Sequence, residues 1–192
     1  MRRITLSLFN ILWLIVGLQR IIELGWAKKN ADWMKQQGGY EVGSKHYPLL
    51  VNMHLLFFIS TFIENLWRSK IIISWWWIPF LIFIFAQALR IWCMVSLGRY
   101  WNTRIWIVPR HSPCVRGPYR YLRHPNYLAV ILEFLSFPLI FGAVVTSVVF
   151  SLVNLFILLM IRIPIEEQAL KQGTSYEEVM TPTRFWPKQK SE

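Results

Sequence analysis

From its first residues to about residue 163, the chain alternates long apolar runs with short polar segments. The opening run covers roughly residues 4–24, LLVNMHLLFFISTFIENLW covers about 49–67, and ISWWWIPFLIFIFAQALRIWCMVSL covers about 73–97. A fourth run starts near Tyr127 and ends by Phe141, and a fifth follows from about Val144 to Ile163 after almost no linker. A helix needs ~20 apolar residues to cross ~30 Å of hydrocarbon. The pattern therefore predicts an all-α polytopic membrane protein with about five transmembrane helices. The fourth run is short and joined to the fifth through GAVVTS, which predicts a tight hairpin of the last two. Trp75, Trp76 and Trp77 suit an interfacial belt. No convincing strand is present.

Composition sharpens this picture in a few places. With 192 residues, 55% of them apolar, and no internal shift in composition, residues 1–192 read as one domain. The net charge of +11 would suggest nucleic acid in a soluble chain, but the basic residues cluster between apolar runs, as membrane topology and a polar pocket require. The opening MRRITLSLFNILWLIVGL has the Arg pair and apolar stretch of a signal peptide. No small-residue cleavage site follows, and the run continues into Gln19, Arg20 and Glu23, so it is read as a retained first span. With five spans and the N-terminus outside, the inner segments hold fourteen Lys and Arg against four outside. That excess orients the polar loop 98–126 and the C-terminal tail to the cytoplasm of a multi-pass cell-membrane protein. Cys93 and Cys114 have no metal spacing; no metal and no nucleic-acid partner is expected.

Two short stretches carry candidate chemistry. In VRGPYRYLRHPNYLAVILE, Gly117-Pro118 marks a turn and Pro125 suits the first turn of a helix, where its missing N–H costs nothing. Arg123 and His124 then stand at a helix N-terminus, which favours an anion. Arg116 and Arg120 read as headgroup-facing. In IRIPIEEQAL, Arg162 closes the fifth run and Glu166 lies four positions on, the spacing that shares a helix face. Pro164 between them predicts a kink from which the two diverge toward a shared cavity. Each stretch alone could be a solvated helix end. Together they place His111, Tyr119, Arg123 and His124 on one polar loop, and Arg162, Glu166 and Glu167 on the other.

With R-H-P-N-Y at a helix start and R-I-P-I-E-E-Q-A-L about forty residues later, the chain resembles the isoprenylcysteine carboxyl methyltransferase family of integral membrane methyltransferases. The closing GTSYEEVMTPTRFWPK is similar to that family's C-terminal pattern, so the resemblance covers roughly residues 97–187. It implies S-adenosylmethionine as cofactor, in a cytoplasm-facing pocket built from loop 98–126 and the C-terminal tail. It also implies a lipophilic or prenylated acceptor entering from the bilayer. Residues 1–97 would then supply membrane helices and the acceptor side, and 98–192 the cofactor-binding and catalytic region. Position by position, His111, Tyr119, Arg123, His124, Pro125 and Asn126 match the family's cofactor pocket, Glu166 its cofactor-binding acid, and Arg162 its acceptor and catalytic Arg. The family's His-x-x-Val segment stands here as HSPC, so Cys114 is carried over by position alone.

The expected reaction is O-methylation of a lipid with an acidic head. The loop WMKQQGGYEVGSKHYPLLVNMH resembles a bacterial subgroup associated with alkylpyrones, whose ionised head, like an isoprenylcysteine carboxylate, needs no strong base. An Arg fork orients either anion. A phospholipid amine acceptor is the alternative and would need one of Glu166 or Glu167 as base; Glu167 joins Arg162 as a catalytic candidate on that account. A non-catalytic scaffold or transporter is the third reading, against which the few ionisable groups inside the runs speak: Glu64, Arg90 and Glu133. His46 and His54 fall beside the acceptor side, His54 more as a packing residue.

Overall fold

The structure, a computed structural model, describes residues 2–67, 74–109 and 111–176, with side chains from Phe9 onward. The part of the C-terminal tail and of its motif beyond Tyr176, together with Arg68, Lys70 and Arg110, lies outside the described residues.

The described residues form six α-helices: α1 Arg2–Gln36, α2 Tyr47–Trp67, α3 Trp77–Leu97, α4 Pro125–Leu139, α5 Val144–Ile157 and α6 Ile163–Gly173. Among the described residues four helical stretches, Phe9–Gln36, Ser44–Trp67, Trp77–Tyr100 and Val144–Gly173, are long and apolar enough to cross a membrane. The fourth run forms the 15-residue α4, whose length is ~22 Å. It turns into α5 at Gly142, so the two form the tight hairpin. Leu, Ile, Val and Trp side chains stand exposed along α1, α2, α3 and α5 (Leu18, Leu55, Phe85 and Leu152 among them). Such a surface is stable only in lipid. The protein is an all-α polytopic membrane protein.

α1 runs past its expected end near residue 24 because nothing in WAKKNADWMKQ stops a helix. It closes at Gly38, whose φ of 78° suits glycine, and Gly39 N–H donates to Met34 O at 2.8 Å. The polar end also contains strands that the sequence did not reveal. β1, Tyr40–Val42, pairs antiparallel with β2, Ile105–Ile107, Glu41 standing opposite Trp106. Three residues are too few to show a period of two. The pairing is fixed instead by α6, which buries Ile105 and Ile107 under Ala169.

α4 is the centre of the bundle. Phe134 stacks on Phe57 of α2 at 4.1 Å between ring centroids, and Phe137 packs against Phe83 of α3. Four charges lock it further. Glu133 bridges Arg20 of α1 at 2.5 Å and Arg90 of α3 at 2.7 Å, while Glu23 of α1 faces the same two guanidinium groups. Charges at membrane depth must face the bundle interior and pair there. Glu64, near the end of α2, accepts from the Val145 and Thr146 N–H groups and so caps α5.

Candidate functional site

The α5–α6 junction sets the site. Pro164, where a kink is expected, has no N–H to donate back along the helix, and the chain widens into a π turn, Leu158–Arg162, before it continues into α6. Arg162 and Glu166 therefore stay on one face, Nε and Oε2 4.0 Å apart.

Arg162 is 4% exposed, and each guanidinium nitrogen is engaged. Nε donates to the Tyr127 hydroxyl at 2.8 Å, Nη2 to the Thr103 carbonyl at 2.9 Å, and Nη1 to His46 Nε2 at 3.2 Å. Those three bonds leave two of its five N–H groups for another anion. The Tyr127 hydroxyl donates in turn to Glu166. His46 reaches Arg162 by folding over Gly43, where φ is 68° and a Cβ would lie 2.3 Å from the imidazole. Only glycine fits beneath the ring.

His124 caps α4 and is 3% exposed, and Pro125 follows as its first residue. His124 Nε2–H donates to Glu167 Oε1 at 3.1 Å, and Nδ1 is 3.9 Å from Glu166. The helix mouth that would attract an external anion thus already faces two carboxylates of α6.

A cavity of about 610 Å³ joins these parts. His111, Cys114, Tyr119, Arg123, His124 and Asn126 line it together with Glu166 and Arg162. Pro125 and Glu167 are not in its wall; Pro125 is buried beneath it, and Glu167 sits behind His124. Arg116 and Arg120 are exposed away from it. The His111 ring stacks on Tyr100 at 3.8 Å and 9°, and burial lowers its pKa below the usual histidine range. Cys114 Sγ–H donates to Ser96 O at 3.3 Å. Burial holds the Tyr119 phenol well above the usual tyrosine range, and so neutral. Arg123 lies 6.0 Å from the centre of the Tyr176 ring. Asn126 Oδ1 and Trp106 Nε1 are buried with no hydrogen-bond partner among the described residues. The cavity then descends between α1 and α2, past Gly17, Ile21, Leu55 and Phe58. Among the described residues no cluster of metal-ligating side chains is present.

Sequence reasoning passed over Thr103, which acts through its carbonyl and so gives no side-chain signal. Tyr100 and Trp106 lacked any spacing that tied them to His111. Tyr127 was visible in R-H-P-N-Y, but its place between Arg162 and Glu166 required the helix crossing.

The sequence profile described as "Isoprenylcysteine carboxyl methyltransferase (ICMT) family" matches residues 77–172, half of the chain. The chain is 41% identical over 163 residues to the uncharacterized protein YpbQ of Bacillus subtilis (strain 168), covering 83% of this chain and 96% of that protein. It is 30% identical over 135 residues to an uncharacterized protein of Haemophilus influenzae, covering 70% and 78% respectively. No solved structure matches it significantly. Both R-H-P-N-Y and R-I-P-I-E-E lie inside the matched region, on the two walls of one cavity. The chain belongs to the isoprenylcysteine carboxyl methyltransferase family, a family of membrane methyltransferases.

Proposed function

We propose that the protein is an S-adenosylmethionine-dependent O-methyltransferase whose acceptor is a lipid with an acidic head, an alkylpyrone enolate or an isoprenylcysteine-type carboxylate. The observation that carries this reading is the buried, braced Arg162 beside Glu166, in a cavity that runs on into an apolar cleft. The reaction face is the polar end, assigned to the cytoplasmic side of the cell membrane by its excess of Lys and Arg.

The residues fit the donor. Asn126 Oδ1 and Trp106 Nε1 are an acceptor and a donor awaiting a polar ligand, and the Tyr100–His111 stack gives a flat aromatic wall for a base. Glu166 supplies negative charge for an amino or hydroxyl group, Arg123 positive charge for a carboxylate, and Tyr119, Cys114 and His124 close the wall. When bound, the donor supplies a methyl group on a cationic sulfonium. Arg162 binds and orients the acceptor's anionic oxygen through its remaining N–H groups. Tyr127 and Thr103 hold that fork still, so that its geometry is set before the acceptor arrives. Glu167 acts as a positioning residue through its bond from His124. Its place outside the cavity wall favours an already ionised oxygen over an amine that must first lose a proton.

Calorimetry of the detergent-purified protein with S-adenosylmethionine, with Glu166→Ala alongside, tests this. Saturable binding that weakens in the variant supports the reading. A folded protein that binds no donor would overturn it.

A further inference from the structure

Below Arg162 the cavity acquires a second polar feature that the reaction does not use. Asn154 on α5 lines the cavity and is fully buried, yet neither its Nδ2 nor its Oδ1 has a hydrogen-bond partner among the described residues. An amide buried among hydrocarbon groups without partners is costly, and such groups in native structures are met by something. On α2, His54 also lines the cavity. Its Nδ1–H donates to Leu50 O at 2.8 Å, which leaves Nε2 as an unprotonated acceptor.

The two residues lie at one depth. α2 and α5 run antiparallel in a register shown by Glu64 with Val145 and Thr146 and by Phe57 with Phe150, and kept by the turns that adjoin them, where His46 meets Arg162. The same register sets His54 opposite Asn154. Both stand eight residues from the Arg162–His46 level, which is ~12 Å along a helix axis.

We infer that His54 and Asn154 form a second binding subsite, for a hydroxyl group carried on the lipid's tail about 12 Å from its acidic head. A hydroxyl both donates and accepts, so one group satisfies His54 Nε2 and Asn154 Nδ2 together; a ketone would leave the histidine unmet, and a plain hydrocarbon would leave both unmet. Around the pair, Leu50, Phe58, Val130 and Leu158 supply an apolar wall for the rest of the tail. The inference deepens the proposed function: it depends on that reading only in treating the lipid as the acceptor held by Arg162.

The test uses the full-length protein in detergent and two probes, octadecanoate and a mid-chain hydroxyoctadecanoate with its hydroxyl about 12 Å from the carboxylate. Binding is followed by tryptophan fluorescence, since Trp13, Trp101 and Trp106 line the cavity. The readout is the preference for the hydroxylated probe relative to that of Asn154→Leu and His54→Phe, so that partition into micelles cancels. A preference of ~10-fold in the unaltered protein is expected from two buried hydrogen bonds. It should fall to about one in either variant, His54→Phe serving if Asn154→Leu does not fold. Equal binding of both probes, a preference that survives the variants, or no saturable binding of either probe would overturn the subsite. Donor calorimetry separates the two ideas. Donor binding without the preference removes the subsite alone, whereas the preference without donor binding removes the methyl-transfer reading alone.

Discussion

Arg162 is held by a phenol, a carbonyl and an imidazole before any ligand arrives. In the proposed reaction its value for an anionic oxygen lies in a fork whose direction is fixed rather than in its charge alone. Lys at this position keeps the charge but cannot reach three partners and an acceptor at once. Arg162→Lys should therefore lower methyl transfer by about two orders of magnitude, as loss of a positioned donor does elsewhere. Donor affinity by calorimetry should stay within about threefold; a parallel collapse of donor binding would move Arg162 from the acceptor to the donor. His111 makes a pH prediction. Burial lowers its pKa, so the folded protein takes up this proton less readily than the unfolded chain. The contribution is present above the ordinary histidine range and is lost as pH falls through the lowered value. With a cationic donor beside the ring, donor affinity should be flat at neutral pH and above and should fall on acidification. His111→Gln should remove the acid limb in a calorimetric pH series.

At the level of elements, the π turn Leu158–Arg162 decides where Arg162 points. Pro164 sustains it by removing an N–H that would otherwise draw the helix back to α geometry. Pro164→Ala should restore that bond, raise or leave unchanged the unfolding temperature, and rotate Arg162 away from Tyr127, so activity should fall by tenfold or more without loss of stability. Loss of both together would show that the proline serves the fold instead. The turn also marks where sequence reading stopped. R-I-P-I-E-E put Arg162 and Glu166 on one face, because Arg and Glu four apart share one, but the Pro between them carried no sign of the π turn. The apolar runs located each of the four stretches that, among the described residues, are long and apolar enough to cross a membrane, because a bilayer imposes a length on each. They could not place the end of α1 at Gln36, where the restraint is a glycine and not a solvent boundary. The β1–β2 pair was invisible for a related reason: its register comes from α6, more than sixty residues further on.

Across the whole molecule, the Arg20–Glu23–Arg90–Glu133 cluster ties three helices that lipid would not otherwise press together. Arg90→Leu leaves two buried carboxylates sharing one guanidinium and should cost about 3–5 kcal/mol, read as a lower unfolding temperature in detergent. Adding Glu133→Leu should recover most of it, since Arg20 and Glu23 remain paired; a double variant no better than the single one would mean that the cluster is not a set of compensating charges. Each of these residues was visible as a charge inside an apolar run, but no spacing in the sequence announced a partner more than a hundred positions away. The short α4 has a consequence during synthesis. At ~22 Å it falls short of the ~30 Å hydrocarbon layer, and it carries a carboxylate in its middle, so it gains nothing by entering lipid alone. It can enter as the leading arm of its hairpin, carried by α5, once α1 and α3 are already in place with Arg20 and Arg90 turned inward. The α4–α5 hairpin, made after α1, α2 and α3, is thus the pair that closes the bundle, and the wall bearing Arg162 and Glu166 exists only after it has inserted.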